Sequence, residues 1–147
     1  MLAGEKPPVE PAAALAHTPD GAIAFAKFWI QTLDWGYATT STAYARRYVS
    51  AACTTCTQIL NKIDTWPPKG DYYIGGRVVV VSASIDHSAA SHGSEYSVLI
   101  TANVTGLQVV DANRGFVAGE PPATNRPLRV WLTWTDGSWS VVDFGGA

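Results

Sequence analysis

Charged side chains are scarce in this sequence. They make up 15% of the 147 residues, whereas about a quarter is usual for a globular domain. The net charge is −2, from ten basic and twelve acidic residues, and Lys or Arg are not concentrated beyond the neighbours Arg46 and Arg47. Because a nucleic-acid-binding domain needs a basic face for the phosphates, nucleic acid is not an expected partner.

Long hydrophobic runs are also missing. No stretch of about eighteen apolar residues occurs, which excludes a membrane-spanning helix, and Met1 to Gly4 do not start a signal peptide. A chain of 147 residues suits one domain that is stable without several disulfides or a metal. The low charge is common in exported proteins.

The first segment differs in composition from the rest. Residues 1–17 are rich in Pro and Ala without a periodic pattern, which predicts a disordered spacer. It would be either a tether to a surface or simply a disordered end of the chain. We expect residues 18–147 to form a single folded domain.

Helical patterns dominate the first half of that domain. Thr18, Pro19 and Asp20 supply a capping hydroxyl, a proline for the first turn and a carboxylate that the helix dipole favours. The predicted helix runs to about residue 38 and is apolar except for a strip formed by Lys27, Gln31 and Asp34. Further helices are predicted from Ser41 or Thr42 to Val49 and from Cys53 to Trp66.

After Pro67-Pro68 the hydrophobic period changes from helical to two. Strands are predicted at residues 77–85 and 95–104, in a small hairpin of 107–110 with 116–118, and in a closing hairpin. In the first of these strands, the residues on one face would be Val79, Val81, Ala83 and Ile85. The Asp136-Gly137 turn of that hairpin would pair Trp134 with Trp139, Leu132 with Val141 and Val130 with Asp143. Helices followed by antiparallel strands predict an α+β fold, with N-terminal helices packed on a curved antiparallel sheet.

Four motifs in this order resemble a known family: the GAIAFAKFWIQTL helix, the C-x-x-C helix start, the GGRVVV strand and the W-x-D-G-x-W-x-V-V hairpin. Residues 18–144 resemble the nuclear-transport-factor-2-like (cystatin-like) fold, and within it uncharacterised lipoprotein domains of high-GC Gram-positive bacteria. The resemblance implies a cone-shaped domain, an upstream signal peptide with a lipid-bearing cysteine, and anchoring at the cell surface. The domain would contact the membrane only through this upstream lipid anchor, which the present sequence lacks. No activity is implied, since the fold hosts both enzymes and binding modules.

Cys53 and Cys56, the only cysteines, allow three interpretations. The favoured one is a structural disulfide that contributes about 2 kcal/mol. A redox pair would need a preceding buried strand, and a zinc site would have to recruit His87 and His92 at a spacing longer than zinc fingers use. We therefore expect no metal and no cofactor.

Candidate catalytic residues are few. Asp143 is the carboxylate that the predicted pairing places on the apolar face, and Asp34 and Tyr37 lie near the end of the long helix. Acid–base catalysis would require these side chains to meet in one cavity. The ordinary interpretation is that Asp143 is a carboxylate at a strand end, that Asp34 belongs to the solvent-exposed strip of the helix, and that Tyr37 packs in the core.

A candidate binding surface carries Trp131 and Arg129, which share a strand face. If that face is the outer one, Trp131 would be an exposed aromatic residue. The sequence favours a non-catalytic binding domain for a small apolar ligand or an envelope protein. The alternatives are an isomerase- or dehydratase-like enzyme, a homodimerising module, and a surface lipoprotein involved in phage exclusion.

Overall fold

Two helices and seven strands make up the structure, a computed structural model that describes residues 5–67, 70–86, 94–113 and 115–146. The helices are α1 (Pro19–Thr39) and α2 (Thr54–Thr65). The strands are β1 (Tyr72–Gly75), β2 (Val78–Ile85), β3 (Tyr96–Val104), β4 (Leu107–Val110), β5 (Phe116–Glu120), β6 (Ala123–Thr135) and β7 (Ser138–Gly146). Short 3-10 turns cover Ala12–Leu15 and Ala45–Tyr48.

Helix α1 begins where the sequence predicts. The Thr18 hydroxyl accepts a hydrogen bond from the Gly21 amide at 3.0 Å, and Pro19 lies in the first turn. The helix ends at Thr40, which takes the left-handed conformation with φ 55°. Its apolar side chains are buried on most sides, because the helix is covered both by strands and by the segments that flank it.

The strands form two antiparallel sheets, so the α+β prediction is confirmed. Their orders are β2-β3-β6-β7 and β1-β4-β5. The core lies between α1 and the inward side chains of β3 and β6, among them Val98, Ile100, Val130 and Leu132, all fully buried. The sequence predicts the β4–β5 hairpin, but not β1 or the division into two sheets.

The closing hairpin follows the predicted register for only half of its length. Trp134 lies opposite Trp139, as predicted. Beyond the next inward pair the register shifts, so that Trp131 lies opposite Asp143 and Val130 opposite Phe144. The predicted pair of Val130 with Asp143 is wrong, because a bulge inserts one extra residue in β7 and moves Asp143 to the other face.

A second register shift changes the faces of β2. It lies between Val80 and Ser82, so Val79 and Val81 are 61% and 53% exposed. The predicted shared face is therefore wrong for its first two members. The partly buried residues that pack on the core are Val78, Val80, Ala83 and Ile85.

The helix predicted from Ser41 or Thr42 to Val49 is reduced to the 3-10 turn Ala45–Tyr48. Val49 forms a bridge with Val141, and the Ser50 amide donates to the Val141 carbonyl at 2.8 Å. An extended backbone is needed to pair with the edge of β7, so the helix cannot continue to Val49.

Residues 5–17 differ from the disordered spacer that their composition predicts. Ala14 is buried, the Tyr44 hydroxyl donates to the Pro8 carbonyl at 2.6 Å, and Trp139 Nε1 donates to the Ala16 carbonyl at 3.0 Å. The ring of His17 stacks on Trp134 with 4.7 Å between centroids. The segment packs on the domain because small side chains and free carbonyls suit contact with its aromatic residues.

Candidate functional site

A pocket of about 170 Å³ lies beside α1, where the two sheets approach each other. Its walls are largely apolar. The main contributors are Ile30, Leu33, Val78, Leu107, Leu128 and Phe144. Largely apolar concave sites with a few polar groups are typical of small-molecule binding sites.

The helical and strand periods explain which residues reach this pocket. Ile30, Leu33 and Tyr37 lie at positions i, i+3 and i+7 of α1, so they share one face. On the sheet side, Leu128 of β6 and Phe144 of β7 are inward positions of neighbouring strands. The bulge in β7 gives Phe144 the inward position that the strand alternation predicts for Asp143.

Glycine keeps part of the pocket open. Gly146 lies opposite Leu128 and lines the pocket, and a Cβ atom added to it would have no atom within 4 Å. Gly145, one residue earlier, has equally open space around its Cβ position. It lies opposite Arg129, and successive residues of a strand face opposite sides. Gly145 also lines the pocket, necessarily with its backbone atoms. A side chain at 146 would therefore point into the pocket, whereas one at 145 would point to the opposite face of β7.

Four polar side chains line the pocket: Tyr37, Thr105, Glu120 and Arg126. The Thr105 hydroxyl accepts a hydrogen bond from the Arg77 amide at 2.8 Å. Burial raises the pKa of Tyr37, the negative charge of Glu120 raises it further, and the positive charge of Arg126 opposes the shift. Tyr37 is thus a neutral hydroxyl near pH 7. Glu120 accepts a hydrogen bond from Lys62 Nζ at 2.9 Å, which balances its charge.

Arg126 is on the inward face of β6, two residues before Leu128. Within the ranges that the structure describes, its guanidinium has no hydrogen-bond or ion-pair partner. Sequence reasoning missed both Arg126 and Glu120. Extending the inward alternation of Val130 and Leu128 back by two positions would have indicated Arg126, whereas no sequence pattern indicates Glu120.

Asp34 does not line the pocket. Its Oδ1 accepts hydrogen bonds from Arg77 Nε at 2.9 Å and from the Val78 amide at 2.8 Å, and its Oδ2 accepts one from Arg77 Nη2 at 2.8 Å. Arg77 also pairs with Glu5. The hydrogen bonds to Asp34 and Glu5 raise the pKa of Arg77 further above its usual value. These hydrogen bonds of Asp34 connect α1 to the start of β2.

Asp143 also lies outside the pocket. Its carboxylate accepts hydrogen bonds from the Thr55 hydroxyl and from the Phe144 amide, the latter at 2.8 Å. This ties α2 to the edge strand β7. Of the three candidate catalytic residues, only Tyr37 reaches the pocket, so the structure does not bring together the acid and base that the enzyme hypothesis needs.

Cys53 and Cys56 form a disulfide at the start of α2, with their Cα atoms 5.3 Å apart. Both are buried, and Cys53 is the residue that caps the helix. His87 and His92, the other members of the alternative zinc set, lie outside the described residues. Over the ranges that are described, no three His, Cys, Asp or Glu side chains cluster as metal ligands would, and no helix is both long and apolar enough to cross a membrane.

Trp131 is not an exposed aromatic residue, as it would be on an open outer face of the sheet. It is 8% exposed, and the Arg129 guanidinium lies over its ring at 5.7 Å from the centroid. Arg129 is itself paired with Asp86. The outer face of β6 is therefore covered at this point, and the prediction of a binding surface centred on Trp131 is wrong in that respect.

The fold and the pocket define a small α+β domain with an apolar pocket that also carries polar side chains. The chain belongs to DUF6318, a family of unknown function, whose model matches residues 4–144. No curated protein matches the chain. Among solved structures it is similar to the intermembrane-space region of the chloroplast protein ARC6, with 12% identity and a TM-score of 0.46 over 84% of this chain and 95% of that one. At this identity and TM-score the likeness carries no argument about function.

Proposed function

We propose that this protein is a non-catalytic binding domain that takes a small, largely apolar ligand in the pocket beside α1. The observation that carries the proposal is the open, apolar space next to Gly146. An engineered apolar cavity of about 150 Å³ holds benzene. A pocket of about 170 Å³ is thus large enough for a ring or a short alkyl chain.

Binding is favoured over catalysis because the candidate acid and base groups are already engaged within the protein. Asp34 and Asp143 are hydrogen-bonded outside the pocket. Tyr37 is held protonated, since burial raises its pKa. An isomerase or dehydratase would need a free proton acceptor in the pocket, and the carboxylate that lines it, Glu120, is ion-paired with Lys62 at 2.9 Å.

We also propose that the domain works outside the cytoplasm, at the cell surface. The Cys53–Cys56 disulfide supports this, because such bonds persist in oxidising compartments. The lipid anchor and the lipoprotein class rest on the sequence resemblance alone. Lipidation would be tested by mass spectrometry of the full-length protein from its native membrane, and an unmodified mature protein would contradict the anchor.

The pocket proposal can be tested with a pair of variants on one strand. Gly146→Leu fills the pocket, and Gly145→Leu places the same side chain on the opposite face of β7. We would titrate 1-octanol into ¹⁵N-labelled protein and follow the amide shifts of Leu33, Leu128 and Phe144. Saturable shifts should be lost in Gly146→Leu and kept in Gly145→Leu. Absence of shifts in the parent protein, or equal loss in both variants, would refute the proposal.

A second candidate function is association with a protein, either an envelope protein or a second copy of the chain. The specific observation is that Val79 and Val81 are exposed on β2, an edge strand of its sheet. Exposed apolar edges favour strand pairing between chains. Sedimentation over a wide concentration range would detect a homodimer, and Val81→Lys should dissociate it. A monomer throughout would exclude self-association.

A further inference from the structure

The geometry points to an anionic head group on the ligand: we infer that the pocket takes an aliphatic monocarboxylate, with its chain among the apolar walls and its carboxylate on Arg126 and the Tyr37 hydroxyl. This rests on the proposed function and names the class of ligand. It depends on three features of the pocket, which are its charge balance, the position of Arg126 and the donors available there.

Among the charged side chains of the pocket, one positive group has no anionic partner. Of the two charged side chains that line the pocket, Glu120 is neutralised by Lys62 at 2.9 Å. Arg126 has no anionic partner anywhere in the described part of the chain. An unpaired guanidinium beside an apolar wall is a site for an anion with an apolar body.

The position of Arg126 places this charge at the mouth of the pocket. Arg126 lies opposite Ala102, on the inward side that also carries Leu128. Gly146 of β7 lies opposite Leu128, and the Arg126 side chain two residues earlier in β6 is exposed. A ligand chain that enters beside Gly146 would leave its head next to this guanidinium.

Tyr37 supplies the second donor. Its side chain reaches the same pocket from α1, and both Glu120 and Arg126 are close enough to influence its ionisation. A carboxylate can accept from the guanidinium and from a neutral hydroxyl at once. An alcohol would form weaker, uncharged hydrogen bonds, and an ammonium head would be repelled by Arg126.

The test compares three probes that share one chain: octanoate, 1-octanol and octylammonium, titrated by calorimetry into the oxidised protein. We expect octanoate to bind at least about tenfold more tightly than 1-octanol, as a charge-assisted hydrogen bond allows, and octylammonium to bind most weakly. Methyl octanoate should behave like the alcohol, which distinguishes a free acid from an esterified acyl chain as the source.

The variants separate the head-group site from the pocket. Arg126→Gln should remove the preference for octanoate and leave 1-octanol affinity unchanged. The control is Arg47→Gln, which changes an exposed arginine that stacks on Tyr44 outside this pocket. It should keep the preference intact.

Each result decides between the two proposals. Equal affinity for octanoate and 1-octanol, no effect of Arg126→Gln, or tightest binding of octylammonium would overturn the anionic head group and leave the pocket proposal standing. Octanoate binding that survives Gly146→Leu would mean a surface ion pair only and would overturn the inference. No binding of any of these probes would refute the proposed function itself.

Discussion

Replacing Asp34 should lower stability rather than remove an activity. This carboxylate accepts two hydrogen bonds from Arg77 and one from the Val78 amide. It joins α1 to β2, two elements that are more than forty residues apart along the chain. In Asp34→Ala the Val78 amide would lose its acceptor, and Arg77 would keep only Glu5.

The size of the effect follows from these bonds. A hydrogen bond to a charged group contributes about 1.5–3 kcal/mol, and this one carboxylate is partly exposed, so the three bonds do not add in full. We expect Asp34→Ala to cost about 3 kcal/mol in the free energy of unfolding. Asp34→Asn keeps the oxygen that serves Arg77 Nε and Val78, so it should cost about half as much.

Urea unfolding, followed by tryptophan fluorescence, measures both values. Lys27→Ala is the control, because Lys27 is exposed on the same helix and should change stability by less than about 0.5 kcal/mol. If Asp34→Ala unfolds at the same urea concentration as the parent protein, the structural role of Asp34 is refuted.

Three further predictions concern other interactions that stabilise the fold. Reducing the Cys53–Cys56 disulfide should lower the free energy of unfolding by about 2 kcal/mol, as expected for so short a loop; urea unfolding with and without reductant measures this, and identical midpoints would contradict it. Thr18→Ala should cost about 1 kcal/mol by removing the cap on Gly21, whereas Thr18→Ser should not; thermal unfolding of the pair decides. Burial raises the pKa of Tyr73 in the folded protein. The stabilisation that follows from this shift is complete below the ordinary tyrosine pKa of about 10 and is lost as the pH rises above it, because the unfolded chain deprotonates first. Stability should therefore fall as the pH rises above about 10, and less steeply in Tyr73→Phe; equal slopes would refute this.

Local signals in the sequence are reliable where the interaction that decides them is also local. The capping hydroxyl of Thr18 and the proline at position 19 act within one turn, and α1 begins as predicted. The Asp136-Gly137 turn likewise determines the pairing of Trp134 with Trp139, which lies next to it. The disulfide needs only the short spacing of its two cysteines.

Strand faces are less predictable, because one inserted residue reverses every later position. The shift in β7 moves Asp143 out of the apolar face and Phe144 into it. The shift in β2 exposes Val79 and Val81. No local pattern marks either insertion, since both depend on how the neighbouring strand and helix pack.

The pocket depends most on tertiary structure. The alternation of period 3.6 and then period 2 determined the α+β class, the extent of α1 and the closing hairpin, because those patterns arise from the geometry of each element alone. Tyr37, Glu120 and Arg126 come from one helix and two strands of different sheets. Only the packing of α1 against both sheets decided that these three residues meet, and that Asp34 and Asp143 do not join them.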